Sequence, residues 1–136
     1  MILVDTGPIV AAASKRDEHH ASCLAALSTL LEPPLITPLV VMEVCYFLST
    51  RASPRRRGRV LALGRHRLLR TGHADQRGPP PLRRAGPTLR KPALGAADAS
   101  VIAVSERLNV RQILTLDRAH FSIVRPRHVD VFELLP

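Results

Sequence analysis

Four acidic residues, Asp5, Glu43, Asp98 and Asp117, stand in apolar surroundings where a carboxylate is costly to keep. Asp5 directly follows Ile2-Leu3-Val4, and Asp117 follows Ile113-Leu114-Thr115-Leu116. Glu43 interrupts a helix that is otherwise apolar nearly all round, through Leu39, Val40, Met42, Cys45, Tyr46 and Phe47. In a mostly buried helix such a group is expensive unless it is paired or bound to a metal. Asp98 opens the apolar run that continues to Val104. Hard oxygen donors without a Cys or His cluster suit Mg²⁺ or Mn²⁺ and not zinc. Like charges gathered closely raise one another's pKa, and a bound cation reverses that penalty. Two ions roughly 3.5–4 Å apart could clamp the attacking water and the leaving oxygen of a phosphodiester. Taken singly, each acid reads equally well as a helix cap or a solvated loop carboxylate.

The elements that would position these acids follow from short-range signals. Ile2-Leu3-Val4 suits a buried parallel strand, and Thr6-Gly7-Pro8 a strand-to-helix junction, with Thr6 as cap and Pro8 in the first turn. A brief helix then covers Ile9 to Ala13. A second starts near Asp17, carries His19, Cys23, Ala26, Leu27, Leu30 and Leu31 as its stripe, and stops at Pro33-Pro34. Leu35-Ile36 reads as a short strand, and Thr37-Pro38 cap a helix to about Thr50. Further on, a helix from near Asp98 finishes at Leu108 with Asn109 as C-cap. A strand over Arg111 to Leu116 then delivers Asp117 at its carboxyl end, the edge where open α/β sheets bind ligands. His120 to Val124 is expected to be a turn and strand, and Val129 to Leu135 a terminal edge strand.

The 136 residues amount to one domain, large enough to bury about two-thirds of its unfolded surface without disulfides. No targeting signal or bilayer-length apolar run is visible. Cys23 and Cys45 fall in helices and are expected to be small buried hydrophobes in a reducing cytoplasm. The net charge of +9 and pI near 11.3 point to an anionic partner. That charge is local, because Arg51 to Lys91 holds 13 basic residues against Asp75 alone, and the rest of the chain is net acidic. RNA affinity by itself is therefore a poor test of function, since salt-sensitive electrostatic binding needs no active site.

Four motifs in order carry a family resemblance. Ile2-Leu3-Val4-Asp5-Thr6-Gly7 resembles the opening motif of PIN domains, and Thr37-Pro38-Leu39-Val40-Val41-Met42-Glu43 resembles the second. Leu94-Gly95-Ala96-Ala97-Asp98-Ala99 is similar to the third, and Leu114-Thr115-Leu116-Asp117-Arg118-Ala119-His120-Phe121 to the fourth. Together they most resemble the toxins of bacterial VapBC toxin–antitoxin pairs. The resemblance implies a three-layer α/β/α sandwich with a central, mainly parallel sheet. It also implies a cytoplasmic endoribonuclease with Mg²⁺ or Mn²⁺ held by Asp5, Glu43, Asp98 and Asp117, the last directly or through water. Thr6 would orient a metal-bound water or a phosphate, or simply cap its helix. The implied partners are RNA, a cognate VapB-like antitoxin and a second copy of the chain, with no membrane. His120 could touch RNA phosphate, although a packed or capping imidazole accounts for it more simply. Phe121 reads as core.

The resemblance covers residues 1–50 and 93–136. Between them the family carries two amphipathic helices, whereas residues 51–91 of this single domain are rich in Arg, Pro and Gly. Val60 to Leu69 retains partial helical periodicity, and Pro79-Pro80-Pro81 forbids ordinary helix. A basic RNA-gripping insert, natural divergence and a stretch of GC-rich coding sequence read out of frame all account for that composition. Two further readings of the whole chain stand beside the toxin: an RNA-processing or DNA-repair nuclease without an antitoxin, and a non-catalytic basic nucleic-acid-binding protein.

Overall fold

A computed structural model of the chain describes residues 1–51, 70–71 and 94–136. In chain order the described elements are β1 (Leu3–Val4), α1 (Thr6–Ala13), α2 (His20–Ser28), β2 (Leu35–Ile36), α3 (Pro38–Arg51) and β3 (Arg70–Thr71). They continue with α4 (Ala96–Leu108), β4 (Gln112–Leu114), α5 (Arg118–Ile123) and β5 (Glu133–Leu135). The strands form one parallel sheet in the order β3-β2-β1-β4-β5, the centre of an α/β/α sandwich. Leu3 faces both Leu35 and Ile113, and Val4 faces Leu114. Leu3, Val4, Ile113 and Leu114 are almost wholly buried, as expected for central strands of a sheet covered on both faces.

That strand order creates the site. From β1 the chain crosses to β2 on one side of the sheet, and it later reaches β4 on the other. The carboxyl ends of β1 and β4 therefore flank a topological switch point, where the connections diverge and leave a crevice. Asp5 leaves β1 there, with its backbone N–H bonded to Leu114 O at 3.0 Å.

Capping chemistry sets the helix starts. The Asp5 side chain, not Thr6, caps α1, because its Oδ1 accepts the Thr6 N–H at 2.7 Å. Thr37 Oγ1 accepts the Val40 N–H at 3.2 Å and starts α3 as its sequence indicates. At the far end of α4, Asn109 takes the left-handed conformation (φ 53°) that suits a helix C-cap.

Several expectations from sequence are corrected. Helix α2 begins at His20 and not near Asp17, because Asp17 Oδ1 accepts the His19 N–H in a local turn. It ends by Thr29, so Leu30 and Leu31 lie beyond it, and Leu31 is fully exposed. Helix α3 is apolar nearly all round, as its sequence indicates, but it is not buried all round. Val40, Val44 and Leu48, spaced by four, face the core, while Met42, Cys45 and Tyr46 are exposed. Cys45 is thus no core residue, although Cys23 is. His120 to Val124 is not a strand. Asp117 Oδ1 accepts the His120 N–H at 3.0 Å and nucleates α5 over Arg118–Ile123 instead. The terminal strand is confined to Glu133–Leu135, at one edge of the sheet. The other edge is β3, a strand within the stretch rich in Arg, Pro and Gly. The helix suggested for Val60 to Leu69 and the triple proline lie outside the described residues. Among the described residues, no helix is long and apolar enough to cross a membrane.

Candidate active site

Five sequence-predicted residues, Asp5, Thr6, Glu43, Asp98 and Asp117, line one open groove of about 690 Å³ at the switch-point edge of the sheet. Val10, Phe47 and Leu116 form its apolar wall. Each acid arrives on a different element. Asp5 ends β1, Glu43 lies on the second turn of α3, Asp98 sits in the first turn of α4 and Asp117 caps α5.

Asp5 is the most enclosed, at 5% exposure. Its Oδ1 is bound to Thr6 N–H, and its Oδ2 accepts the Thr115 hydroxyl at 2.9 Å. The same Thr115 oxygen accepts the Asp117 N–H at 3.0 Å. One buried hydroxyl therefore ties the ends of β1 and β4 together and sets two acids relative to each other. On the opposite side, Thr6 Oγ1 donates to Glu43 Oε2 at 2.6 Å, which fixes the α3 carboxylate against α1. Asp98 Oδ2 accepts the Gly95 N–H at 3.1 Å. A Cβ added at Gly95 would lie 3.2 Å from that oxygen, so glycine keeps the approach open.

Burial pushes the Asp5 carboxyl above its ordinary range, and the neighbouring charges of Asp98 and Glu43 push the same way. The hydrogen bonds from Thr6 and Thr115 oppose them without prevailing. A carboxyl whose pKa is raised on folding stabilises the protein below its ordinary value of 3.8, and that contribution is lost as pH rises through the raised value. Asp5→Asn is therefore expected to flatten the acid-to-neutral fall in thermal stability, leaving the variant at least as stable as wild type at neutral pH in chelator. Melting curves of both proteins across that range check this. A steeper fall in the variant would contradict it.

One residue of the site, Thr115, was not singled out by sequence, and its only local signal is a hydroxyl two positions before Asp117 at a strand end. His120, which the sequence left between a phosphate contact and a packed or capping imidazole, also lines the groove. Its Nδ1 lies 2.8 Å from Asp117 Oδ2 and 3.4 Å from Asp98 Oδ2, with 17% of the side chain exposed. The donor set around the groove is carboxylate and hydroxyl oxygen, which suits a hard divalent cation. It is not a preformed cage: among the described residues, no group of three or more His, Cys, Asp or Glu is arranged to hold a metal ion.

A parallel α/β/α sandwich with acids gathered at its switch point defines a class of nuclease-like domain. The chain matches the PIN domain family over residues 2–125 and belongs to that family. It is related to ribonuclease toxins of the VapC type. Ribonuclease VapC26 of Mycobacterium tuberculosis (strain ATCC 25618 / H37Rv) is 28% identical over 141 residues, spanning 99% of this chain and 100% of that protein. The fold is also similar to the crystal structure of VapC20 from Mycobacterium tuberculosis, described as a sarcin-ricin loop cleaving toxin. That likeness has a TM-score of 0.64 at 17% identity, over 83% of this chain and 87% of the other.

Proposed function

We propose that this chain is a Mg²⁺- or Mn²⁺-dependent endoribonuclease, the toxin of a type II toxin–antitoxin pair. The observation that carries the reading is the convergence of Asp5, Glu43, Asp98 and Asp117 on one groove in a PIN-family nuclease fold. The relationship to VapC ribonucleases supports RNA as substrate and an antitoxin as partner. We further propose that the chain works in the cytoplasm as a homodimer. We also take residues 1–136 as one domain, with 51–91 as its atypical part.

Asp5, Glu43, Asp98 and Asp117 would hold the cation, Asp117 directly or through water. When bound, the ion would supply Lewis acidity toward the scissile phosphodiester and the water that attacks it. The chain's own contribution is positional. Thr115 holds the Asp5 carboxylate in a fixed rotamer, and Thr6 does the same for Glu43, so both acids meet the substrate already oriented. Asp98 and Asp117 stay nearer solvent on the flank of the groove, where they line the path of the RNA backbone. The apolar wall limits water on one side of that path.

The test uses the purified full chain on RNA with Mg²⁺, with Mn²⁺ and with chelator. Cleavage confined to the metal-containing reactions supports the reading, and cleavage untouched by chelator counts against it. Co-purification with the product of an adjacent small gene separates a toxin from a nuclease that works without an antitoxin.

A further inference from the structure

The gap between Asp98 and Asp117 is filled from within the chain. The imidazole of His120 lies across it, with Nδ1 within 2.8 Å of one carboxylate and 3.4 Å of the other. That nitrogen is buried, yet it has no aligned hydrogen-bond partner. The ring sits there by proximity, without the directional bond that would lock it in place. The backbone is fixed independently, since the His120 N–H is bonded to Asp117 Oδ1. Rotation of the side chain would leave that backbone bond, and with it the start of α5, intact.

We propose that His120 is an internal placeholder: its ring occupies the space between Asp98 and Asp117 that a divalent cation needs, and must swing out before the ion can enter. The inference rests on the reading of this groove as a cation site. It explains why hard donors surround the groove although no three of the described His, Cys, Asp and Glu side chains form a cage. The consequence is a lowered apparent affinity for the ion, in proportion to the fraction of time the gap is open.

The experiment measures Mn²⁺ binding by calorimetry at one pH and salt concentration, using the full chain as wild type, His120→Ala, His120→Asn and the control His128→Ala. Both His120 variants are expected to bind Mn²⁺ about fivefold more tightly, as for a gap open about one-fifth of the time. His128, which contacts Val110 O away from the groove, should be neutral when replaced. A second measurement follows the ring nitrogen resonances of His120 in the wild type during Mg²⁺ titration, which stays informative if a variant fails to fold. Those signals should shift and saturate with the ion. Unchanged or weaker Mn²⁺ binding in the His120 variants, or resonances indifferent to Mg²⁺ in a protein that binds it, would overturn the placeholder and leave the cation site standing. A wild type that binds neither ion would overturn both.

Discussion

Asp98→Asn is expected to reduce RNA cleavage by roughly 10²–10³-fold, in line with losses seen when one preorganised electrostatic group is removed from an active site. The substitution is nearly isosteric. The asparagine carbonyl can still accept the Gly95 N–H that now reaches Asp98 Oδ2, so the start of α4 should survive. Loss of a negative charge from the first helical turn costs only a few tenths of a kcal/mol, about 0.3–1 at most. It is also offset, because Asp98 contributes to the repulsion that raises the Asp5 pKa. Activity and stability should thus separate sharply. Cleavage rates at saturating Mg²⁺, read beside melting temperatures, check the prediction. A parallel fall in both would mean that Asp98 is chiefly a structural cap.

The second large effect concerns stability. Phe121→Ala should cost about 3–5 kcal/mol, the usual range for removing a buried aromatic ring. Phe121 is 1% exposed and meets Phe132 edge-on, with ring centroids 6.2 Å apart. It is the buried residue of the six-residue α5, a helix too short to persist without tertiary contacts. Against a total stability of about 5–15 kcal/mol the loss is severe, and the melting temperature should fall by roughly 10–20 °C. The effect should reach the groove as well, since Asp117 and His120 are held at the start of that helix. Phe121→Leu, which keeps much of the volume, should recover most of the loss. Thermal unfolding of the two variants decides the matter. A drop of only a few degrees for Phe121→Ala would show that α5 contributes little to the core.

How much of this was legible beforehand varied with the range of the forces involved. The central strands could be read because Ile2-Leu3-Val4 and Ile113-Leu114 are short apolar runs of the kind a doubly covered parallel sheet accommodates. The caps at Thr37 and Asn109 were equally visible, since each depends on one residue and its immediate neighbours. The five residues that meet in the groove could be chosen in advance, but their common location depends on the order of strands, which motifs alone do not dictate.

The misreadings share a cause. His120 to Val124 contains too few residues for periodicity to tell helix from strand, and Asp117 decided the outcome by capping. In α3, a tally of apolar residues concealed that Val40, Val44 and Leu48, with Val41 partly buried beside them, face inward while Met42, Cys45 and Tyr46 do not. Thr115 escaped notice because its partner, Asp5, lies 110 positions away in the chain, and the approach of His120 to Asp98, 22 positions away, was equally beyond local reading. Strand β3 was hidden by composition, since backbone pairing at a sheet edge makes few demands on residue type.

The most direct test of the central claim compares wild type with Asp5→Asn in RNA cleavage, with Mg²⁺ and with Mn²⁺, using folded protein verified by its melting curve. Asp5 is the acid shared by the buried network and the groove, and Asn at that position keeps shape while removing the charge. The nuclease reading requires metal-dependent cleavage by the wild type and its near-complete loss in the variant. Equal residual activity in the two proteins would contradict it.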